Sequence, residues 1–509
     1  MWQLEDLSLS PVEYITREES LAIETNEFLS GIEAYDLMFN AGKAIAEHVL
    51  SLELENIVVI AGSGNNGGDG IVAAGILAKN CKTTLILIKK PKTKEAKKAF
   101  RNLKSNKLMI KELDQDIDLT ETIDLMKKAD LIVDALIGVG LNETVRSPYS
   151  EILSEFSNLS DIHVCCVDVP SGLDCNTGNW HSDNYTPNSI VTMEYTKAGL
   201  KQFHEKGIIK VAPIGISKKS AFYVNAGHFT NYWPIRKSTS HKGDNGRIIV
   251  IGGSDGFTGA PVLSGMSALR AGVDTLRIAV PQTIRDIVAG YAEDFIVLKV
   301  KGDKLTTKGF NRFRELLVHR HDVVTMGMGL SNHPECIKFV LELFEYIKGK
   351  IRIVLDADAI RAFRGRLDLL QDSGAIITPH RAELRMMLEE KIPENPQELI
   401  TFLEATATRL GIVILLKGKI DIITNGKRTI LNETGHSGMT VGGTGDVLAG
   451  LVGAVNCFIE DSFFATAIAA NIMGRAGEYS AKKFGNSLLA SDVIHEIPRV
   501  IMDLESLRE

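Results

Sequence analysis

Short apolar runs alternate with helical stretches along most of the chain. In the first half these runs are NIVVIAG, TTLILIK, LMIKEL, ADLIVDALIG and DIHVCCVDV. Strands that are apolar on both faces are typical of a parallel sheet with helices on both sides. The alternation restarts at Arg247 with RIIVIGG, TLRIAVP, FIVLKV, DVVTMG, IRIVLDAD, AIITPH and GIVILLKG. The pattern therefore predicts two α/β domains in tandem.

Two helices are predicted before the first of these strands. Thr16 and Glu19 have the spacing of a capping box, and an amphipathic stretch follows to about Leu29. A second helical stretch covers residues 32–50. Both belong to the first predicted domain.

The stretch between the two alternating regions differs in composition. From KVAPIGI to NYWPIRKSTSHKGDNG it is rich in proline, glycine and polar residues, which indicates a boundary near residues 225–240. A chain of 509 residues is also too long for one hydrophobic core. The predicted domains are residues 1–225 and 226–509.

Composition narrows the class of protein. The net charge of −7 argues against a nucleic-acid partner. The six cysteines form no C-x-x-C pair, which is typical of a reduced, cytoplasmic setting. The first ten residues, MWQLEDLSLS, lack the apolar core of a secretory signal, and no apolar stretch is long enough to cross a bilayer. We expect a soluble cytoplasmic protein, and leave self-association open.

A glycine-rich turn follows the first predicted strand. Residues 61–70, AGSGNNGGDG, join that strand to a helix, which is the layout of a phosphate-binding turn. Gly62 to Gly67 also match the spacing G-x-G-x-x-G. A plain NAD site would carry an acid at the tip of the second strand, but that tip reads LILIKKPK and is basic. The spacing alone is equally compatible with a tight turn.

Polar side chains end three strands of the first predicted sheet. Asn66, Asp134 and Ser171 each offer a hard oxygen of the kind that alkali and alkaline-earth cations prefer. These residue types also cap helices and brace turns. Three such strand ends in one sheet favour a site. Asp168 precedes the rigid turn PSG, so it is a candidate general acid or base at the same edge.

The second half has its own glycine-rich helix start. GMTVGGTGDVLAGLVGA places residues 442–445 where helix N–H groups attract anionic oxygens. Asp446 follows directly and can take a proton from a hydroxyl as that hydroxyl meets a phosphoryl group. A helix cap alone would explain GGTG, but GGSDGFTGAPVLSG, LDADAI, TPHRAEL and LLKGKIDII accompany it. No Walker-type motif is present, so a P-loop NTPase is not expected.

AGSGNNGGDG, DALIGVGLNE and DVPSGLD resemble, in this order, the motifs of the NAD(P)H-hydrate epimerase family. The upstream AYDLMFNAG resembles that family's LMENAG helix, with Phe39 in place of a glutamate. The resemblance implies a Rossmann-like three-layer α/β/α fold and an isomerase with Asp168 as its catalytic residue. It also implies a potassium ion held by Asn66, Asp134 and Ser171. The implied substrate contacts are Asn65, Asn66, Gly67, Gly68, Asp69, Gly138, Val139, Gly140, Leu141, Asn142, Glu143, Thr144 and Asp168.

HKGDNGRIIVIGGSDGFTGAPVLSG, TPHRAE and the GGTGD segment resemble the ribokinase-like superfamily, and within it the ADP-dependent NAD(P)H-hydrate dehydratases. AGVDTLRIAVP, GMGLSN and KGKIDII depart from that family's pattern. The resemblance implies a ribokinase-like α/β fold and a lyase that uses Mg²⁺ with ADP, with Asp446 as catalytic base. Substrate is implied beside Ala260, Gly329, His380 and Asp446. Nucleotide is implied on Lys417, Gly418, Lys419, Ile420, Asp421 and Gly445.

Together the two resemblances cover nearly the whole chain and imply a bifunctional repair enzyme for hydrated NAD(P)H, called NAD(P)HX. The first domain would interconvert R- and S-NAD(P)HX. The second would dehydrate S-NAD(P)HX to NAD(P)H while ADP is converted to AMP and phosphate. The alternative is a ribokinase-like kinase for a vitamin precursor fused to a non-catalytic nucleotide-binding module. The preferences between NADHX and NADPHX and between ADP and ATP are left open.

Overall fold

The chain forms two separate units. The computed structural model describes residues 13–104, 107–113, 115–141, 143–159, 161–310, 317 and 321–508. Residue contacts divide the described chain between Ala221 and Phe222 into an N-terminal and a C-terminal unit. Residues 1–10, about which the sequence analysis made an expectation, lie outside the described residues. Among the described residues, no helix has the length and apolar character needed to cross a membrane.

The N-terminal unit contains one seven-stranded parallel sheet. Its strands are β1 (Asn56–Ala61), β2 (Lys82–Leu87), β3 (Leu108–Glu112), β4 (Leu131–Ala135), β5 (His163–Val167), β6 (Ser189–Met193) and β7 (Ile209–Ala212). Their order across the sheet is β3-β2-β1-β4-β5-β6-β7. Its helices are α1 (Arg17–Leu29), α2 (Ala34–Leu50), α3 (Asn65–Leu77), α4 (Lys94–Arg101), α5 (Leu119–Lys127), α6 (Tyr149–Phe156), α7 (Lys201–His204) and α8 (Lys218–Phe222).

Alternate residues of the buried strands pack into two apolar clusters, one on each face of this sheet. Ile57 and Val59 of β1 belong to the cluster that α2 and α3 cover. Val58 and Ile60 belong to the opposite cluster, to which α5 and α6 contribute. The predicted three-layer α/β/α arrangement is confirmed. The capping prediction also holds, because Thr16 Oγ1 accepts a hydrogen bond from the backbone N–H of Glu19.

The C-terminal unit contains a nine-stranded sheet. Its strands are β8 (Arg247–Ile251), β9 (Thr275–Pro281), β10 (Ile296–Val300), β11 (Val323–Met326), β12 (Arg352–Leu355), β13 (Ile376–Ile377), β14 (Val413–Leu416), β15 (Asp421–Thr424) and β16 (Thr429–Asn432). Their order is β10-β9-β8-β11-β12-β13-β14-β15-β16, and only the last two strands run antiparallel to their neighbours. The hairpin of β15 and β16 was not among the strands predicted from the sequence.

Helices cover both faces of this second sheet. They are α9 (Ala226–Tyr232), α10 (Gly259–Ala271), α11 (Arg285–Ala289), α12 (Thr307–Phe310), α13 (Pro334–Ile347), α14 (Ala357–Ala362), α15 (Arg381–Leu388), α16 (Pro396–Leu410), α17 (Thr444–Phe458), α18 (Ser462–Phe484) and α19 (Ala490–Glu505). Helices α10, α17, α18 and α19 pack on one face and α13, α15 and α16 on the other. At the start of the unit, the backbone N–H of Val224 donates to Leu431 O of β16 at 2.9 Å.

Helices α10 and α17 approach so closely that one position admits no side chain. A Cβ atom added to Gly450 of α17 would lie 2.0 Å from the carbonyl oxygen of Ser264 and 2.4 Å from Ser267 Oγ, both on α10. Real Cβ atoms do not approach backbone oxygens this closely, so the two helices would have to separate. This contact fixes the helix that carries the GGTGD segment against the helix that follows β8.

We therefore expect Gly450→Ala to destabilise the C-terminal unit by about 1–3 kcal/mol, the usual cost of overpacking. Differential scanning calorimetry of the full chain measures this as a lowered unfolding temperature. Gly256→Ala is the matched control, because a Cβ there meets nothing within 4 Å. Equal unfolding temperatures for the two variants would contradict the packing argument.

Candidate active sites

Asp134 and Ser171 meet at the carboxyl edge of the first sheet. Both side chains are fully buried. Asp134 Oδ1 accepts hydrogen bonds from Ser171 Oγ at 2.6 Å and from Leu136 N at 3.2 Å, and Oδ2 accepts one from Ser171 N at 2.9 Å. The hydroxyl of Tyr185 donates to the same Oδ2. Burial raises the pKa of Asp134, and the bonds from Ser171 and Tyr185 offset part of that effect.

Asn66 lies at the glycine-rich turn, beside the loop that follows β4. Its Oδ1 is 2.8 Å from the position that a Cβ on Gly138 would take. Its Nδ2 is buried and has no hydrogen-bond partner among the described residues. The turn itself is tight, since a Cβ on Gly62 would lie 2.0 Å from Leu136 O and a Cβ on Gly67 would lie 2.0 Å from Gly62 O. Glycine at these two positions lets the start of α3 rest directly on the neighbouring strand end.

Asp168 follows β5 with a left-handed φ of 64°. Its Oδ1 accepts hydrogen bonds from Lys197 Nζ at 2.6 Å, Thr192 Oγ1 at 3.1 Å and Met193 N at 3.1 Å. Lys197 is only 1% exposed and also donates to Met193 O at 2.8 Å. All of the hydrogen bonds that described residues donate to the Asp168 carboxylate end on Oδ1. Oδ2 is therefore left for a group that enters the site.

Two further acids interact with this pair. Burial, and then the negative charges of Asp168 and Glu24, raise the pKa of Asp69 well above its ordinary value. Burial also raises the pKa of Glu24, against the lowering effect of Lys197. Three acids thus share one buried ammonium group. Burial and like charge thus raise the pKa values of Asp69 and Glu24 above those of isolated carboxylates, which is a common property of acid–base sites.

The remaining residues that the epimerase resemblance implied lie on two segments. Asn65 to Asp69 form the start of α3, with Asn65 exposed and Gly67 and Gly68 buried. Gly138 to Leu141, Glu143 and Thr144 belong to the loop after β4, where Glu143 Oε2 is 3.2 Å from Arg146 Nη2. Asn142 lies outside the described residues. Asn66 contacts this loop at Gly138, so the structure brings the two segments together.

In the C-terminal unit, Gly443 caps α17 with a left-handed φ of 94°. Thr444 Oγ1 donates into the preceding turn, toward Met439 O and Val441 O. The first N–H groups of a helix have no partner within it and favour an anion. Asp446 lies in this first turn of α17. Burial, followed by the charge of Asp356, raises the pKa of Asp446 to about 7, against the lowering effect of Lys417.

Lys417 directly follows β14, beside this helix start. Its Nζ donates to Asp356 Oδ1 at 2.8 Å and lies 3.5 Å from where a Cβ on Gly445 would be. Thr378 Oγ1 donates to the same Asp356 oxygen at 2.9 Å. Burial alone would lower the pKa of Lys417, but Asp356 and then Glu383 outweigh it and raise that pKa. A fixed positive charge therefore stands at the glycine-rich helix start.

The turn after Lys417 is braced from within. Gly418 N donates to Asp421 Oδ1 and Asn432 Nδ2 donates to Asp421 Oδ2, each at 3.0 Å. Burial raises the pKa of Asp421 to about 6. Lys419 is exposed and Ile420 is half-buried. Asp421 therefore shapes the turn, while Lys417 is the residue of this segment that reaches Gly445.

His380 caps α15 just after the end of β13, the strand next to β14. Its Nδ1 accepts hydrogen bonds from Ala382 N and Glu383 N, each at 3.2 Å. Its Nε2 lies 3.4 Å from Glu383 Oε1, and its side chain is half exposed. Since Lys417 N donates to Pro379 O at 2.9 Å, His380 and Lys417 stand on adjacent strand ends.

Ala260 and Gly329, two of the implied substrate contacts, lie next to each other. A Cβ on Gly329, whose φ is 67°, would lie 3.3 Å from the Cβ of Ala260 and 2.6 Å from the Cβ of Phe257. The aromatic side chain of Phe257 is 61% exposed. Close contacts link Ala260 with Gly329, and separately Lys417 with Gly445, but no described contact joins these two pairs.

Sequence reasoning did not assign roles to Lys197, Tyr185, Asp356 or Glu383. Asp356 directly follows β12, as Asp168 directly follows β5, so the same strand-end rule could have found it. Lys197 stands four residues beyond β6 and Tyr185 lies in the segment before it, positions that no spacing rule singles out.

Comparisons with known proteins bear on both units. A family model described as NAD(P)H-hydrate dehydratase matches residues 248–499, and one described as YjeF-related protein N-terminus matches residues 34–199. The bifunctional NAD(P)H-hydrate repair enzyme Nnr of Pyrobaculum aerophilum is 37% identical over 96% of this chain and 98% of its own. Nnr of Archaeoglobus fulgidus is 36% identical over 97% of this chain and 100% of its own.

Among solved structures, a ribokinase-like superfamily protein of Enterococcus faecalis V583 matches with a TM-score of 0.50. It is 19% identical, and the match covers 56% of this chain and 96% of that one. A likeness at this identity is a likeness of fold, and it agrees with the ribokinase-like fold predicted for the second half.

The hydrogen bond from Tyr185 to Asp134 predicts a stability effect. Tyr185→Phe leaves a buried carboxylate short of one donor, so we expect a loss of about 1–3 kcal/mol in the free energy of unfolding. Urea unfolding of the full chain measures it. Tyr14→Phe is the control, because its hydroxyl meets His204 at an exposed position, and it should change stability by less than about 0.5 kcal/mol. An equally small effect of Tyr185→Phe would contradict the assigned bond.

Proposed function

Because the chain belongs to the family of bifunctional NAD(P)H-hydrate repair enzymes, we propose that it performs both reactions of this repair. Residues 1–225 epimerise R- and S-NAD(P)HX. Residues 226–509 dehydrate S-NAD(P)HX to NAD(P)H with consumption of a nucleotide, ADP by resemblance. The observation that carries the proposal is Asp446, an acid with a pKa near 7 in the first turn of a glycine-started helix, beside the Lys417 ammonium.

The epimerised carbon of the substrate bears a hydroxyl group and is bonded to the ring nitrogen. Opening of that carbon–nitrogen bond yields an aldehyde and an enamine, and reclosure on the other face inverts the carbon. Each direction moves one proton between the hydroxyl oxygen and the ring nitrogen. A single acid–base group next to the ring is sufficient for such a transfer.

Asp168 is the group that we propose for this proton transfer. Lys197, Thr192 and Met193 hold its Oδ1, so that Oδ2 is oriented toward the site. Lys197 is the positioning residue, since its ammonium holds Oδ1 of Asp168 through a short ion pair. Asp69 and Glu24 interact electrostatically with the same pair, and burial raises the pKa of both acids.

Potassium is the cation that we propose for the N-terminal unit, held by Asn66, Asp134 and Ser171. Two observations support the fit. Asp134 is fully buried and forms no ion pair with a Lys, Arg or His of the described residues. The amide of Asn66 has a buried, unpartnered nitrogen, and an amide flip exchanges it for the oxygen that a cation requires. A bound cation would supply the charge that balances Asp134.

Dehydration requires a better leaving group than hydroxide. Transfer of a phosphoryl group from the nucleotide to the hydroxyl oxygen supplies one. The carbon–oxygen bond then breaks with the electron pair of the ring nitrogen assisting, phosphate departs, and the neighbouring ring carbon loses a proton to complete the double bond. The net products are NAD(P)H, phosphate and the shortened nucleotide.

Asp446 is the base that we propose for the hydroxyl proton, since a pKa near 7 suits a group that must accept a proton at neutral pH. The N–H groups at Gly445 and the ammonium of Lys417 face the transferred phosphoryl charge; loss of one such donor typically costs about 3 kcal/mol of transition-state stabilisation. Ala260, Gly329 and His380 are the proposed substrate contacts, and Lys417 to Asp421 are the proposed nucleotide contacts.

Among the described residues, no group of three acid, His or Cys side chains could hold a metal ion. Magnesium with the nucleotide is what the resemblance implies, and phosphate oxygens and water are ligands that suit this ion.

The two activities should separate by substitution in the full chain. Asp446→Asn should abolish nucleotide-dependent recovery of NADH absorbance and leave epimerisation unchanged. Asp168→Asn should leave dehydration of the S epimer unchanged, so that an equal mixture of epimers is half consumed quickly and then proceeds at the spontaneous rate. Absorbance, together with chromatographic separation of the epimers, measures both. If the Asp168→Asn protein consumes both epimers in one fast phase, the epimerase assignment is wrong.

The charges around Asp446 predict a pH dependence. The rate of dehydration should rise as the pH increases through about 7, because Asp446, with its pKa of about 7, loses its proton. Asp356 raises the pKa of Asp446 and Lys417 lowers it. Asp356→Asn should therefore move the midpoint of this rise to lower pH, and Lys417→Met should move it to higher pH.

Rates of dehydration measured across neutral pH give these midpoints. Asp358→Asn is the control, since this nearby acid pairs with Arg361 and does not contribute to the pKa of Asp446. Shifts of Asp356→Asn and Lys417→Met in the same direction would refute the role of Asp446.

A further inference from the structure

Lysines crowd the carboxyl end of β2. Lys89 and Lys90 come two and three residues after Leu87, the last residue of the strand, Lys92 follows, and all three are exposed. Lys90 Nζ is 3.6 Å from Glu112 Oε2 at the end of β3. Among the described residues, no carboxylate pairs with Lys89 or Lys92 within 4 Å. This strand end therefore carries a positive charge that the described residues balance only in part, through Glu112.

These lysines adjoin the glycine-rich turn. The backbone N–H of Lys92 donates to Ser63 O within that turn at 2.8 Å. Lys89 Nζ lies 5.6 Å from the centre of the Tyr149 ring, and the hydroxyl of Tyr149 interacts with Ser63. The tip of β2 and the phosphate-facing turn are thus parts of one surface.

A cavity opens at the same place. Its volume is about 260 Å³, and Lys89, Lys90, Glu112, Gln115 and Pro148 are among the residues that line it. One water molecule takes up roughly 30 Å³ of the liquid. The cavity is therefore large enough for a phosphate group beside the two ammonium groups.

The order of the strands indicates which part of the substrate lies there. The proposed function puts the reacting ring at Asp168, next to β5, and the pyrophosphate at the turn after β1. Between β5 and β2 the sheet has three strand spacings, in the order β2-β1-β4-β5, or about 14 Å. A dinucleotide that extends from β5 across β1 therefore brings its adenosine half over the end of β2.

The side chains at the end of β2 are suited to one form of that adenosine. In Rossmann-like sheets an acid at this position binds the free 2′-hydroxyl, whereas a basic group accommodates a 2′-phosphate. We infer that Lys89 and Lys90 bind the 2′-phosphate of hydrated NADPH, so that the epimerase site prefers hydrated NADPH to hydrated NADH. This inference rests on the proposed epimerase function. Because exposed ion pairs are individually weak, both lysines contribute.

The test uses the full-length protein without ADP or ATP, so that no dehydration removes substrate. The kcat/KM of epimerisation is measured for hydrated NADPH and for hydrated NADH at two ionic strengths. In Lys89→Ala/Lys90→Ala the value should fall about tenfold for hydrated NADPH and less than about twofold for hydrated NADH. The wild-type preference should also decrease at high salt, which screens exposed charges.

Lys79→Ala/Lys82→Ala is the matched control. It removes two exposed lysines at the amino end of β2, with the same change in net charge, and should leave the ratio of the two kcat/KM values unchanged. A second readout is inhibition of epimerisation by adenosine 2′,5′-bisphosphate and by AMP. Only the former should lose potency in Lys89→Ala/Lys90→Ala.

The outcomes separate this inference from the proposed function. If the wild-type protein epimerises neither hydrate, the proposed function itself falls. If it epimerises both and the double variant loses activity equally on the two, the lysines serve a part of the substrate that both share, and the inference is overturned. An unchanged ratio, or a ratio that the control variant changes as strongly, overturns it as well.

Discussion

The absence of a Cβ atom at a few glycines is the constraint on which both sites depend. At Gly62 and Gly67 the start of α3 rests on backbone oxygens of the turn and of the loop after β4. At Gly450 the helix that carries Asp446 rests on the backbone of α10. In the N-terminal unit the helix start thereby reaches a strand end at backbone distance, and in the C-terminal unit one helix reaches another, which side chains would prevent. The N–H groups of that helix start can then face the same space as the acids on the neighbouring strands.

A lysine among several acids appears in each unit, buried in the case of Lys197 and partly buried in the case of Lys417. Lys197 pairs with Asp168 and interacts with the charges of Asp69 and Glu24. Lys417 pairs with Asp356 and interacts with the charges of Glu383 and Asp446. One ammonium cannot neutralise several carboxylates, so protons are held on the acids that are least well paired. In the C-terminal unit this imbalance gives Asp446 its near-neutral pKa. In the N-terminal unit it affects Asp69 and Glu24, while Asp168 keeps the direct ion pair.

The sequence predicts the architecture well, because the apolar runs of a parallel sheet are long and unambiguous. It also places Asp134 and Asp168 on one sheet edge, since parallel strands end together. It did not predict the hairpin of β15 and β16, whose strands are short and separated by polar turns. The partnership of Lys197 with Asp168 joins residues 29 positions apart through the end of β6. The left-handed backbone of Asp168 and the orientation of the Tyr185 hydroxyl likewise arise only from packing.

The pairing of Val224 with Leu431 has a consequence for how the C-terminal unit behaves on its own. β16 is the last strand of its sheet, and an unpaired edge strand offers a template on which other chains can assemble. Tyr223 and Val224 cover part of that edge, and Asn471 Nδ2 holds the carbonyl of Val224 at 3.1 Å. A fragment that begins at residue 226 would leave this edge open and would be prone to aggregate, whereas one that begins at residue 222 would keep its cover. Tyr223 and Val224 thus protect the edge of the sheet as well as belonging to the segment that links the two units.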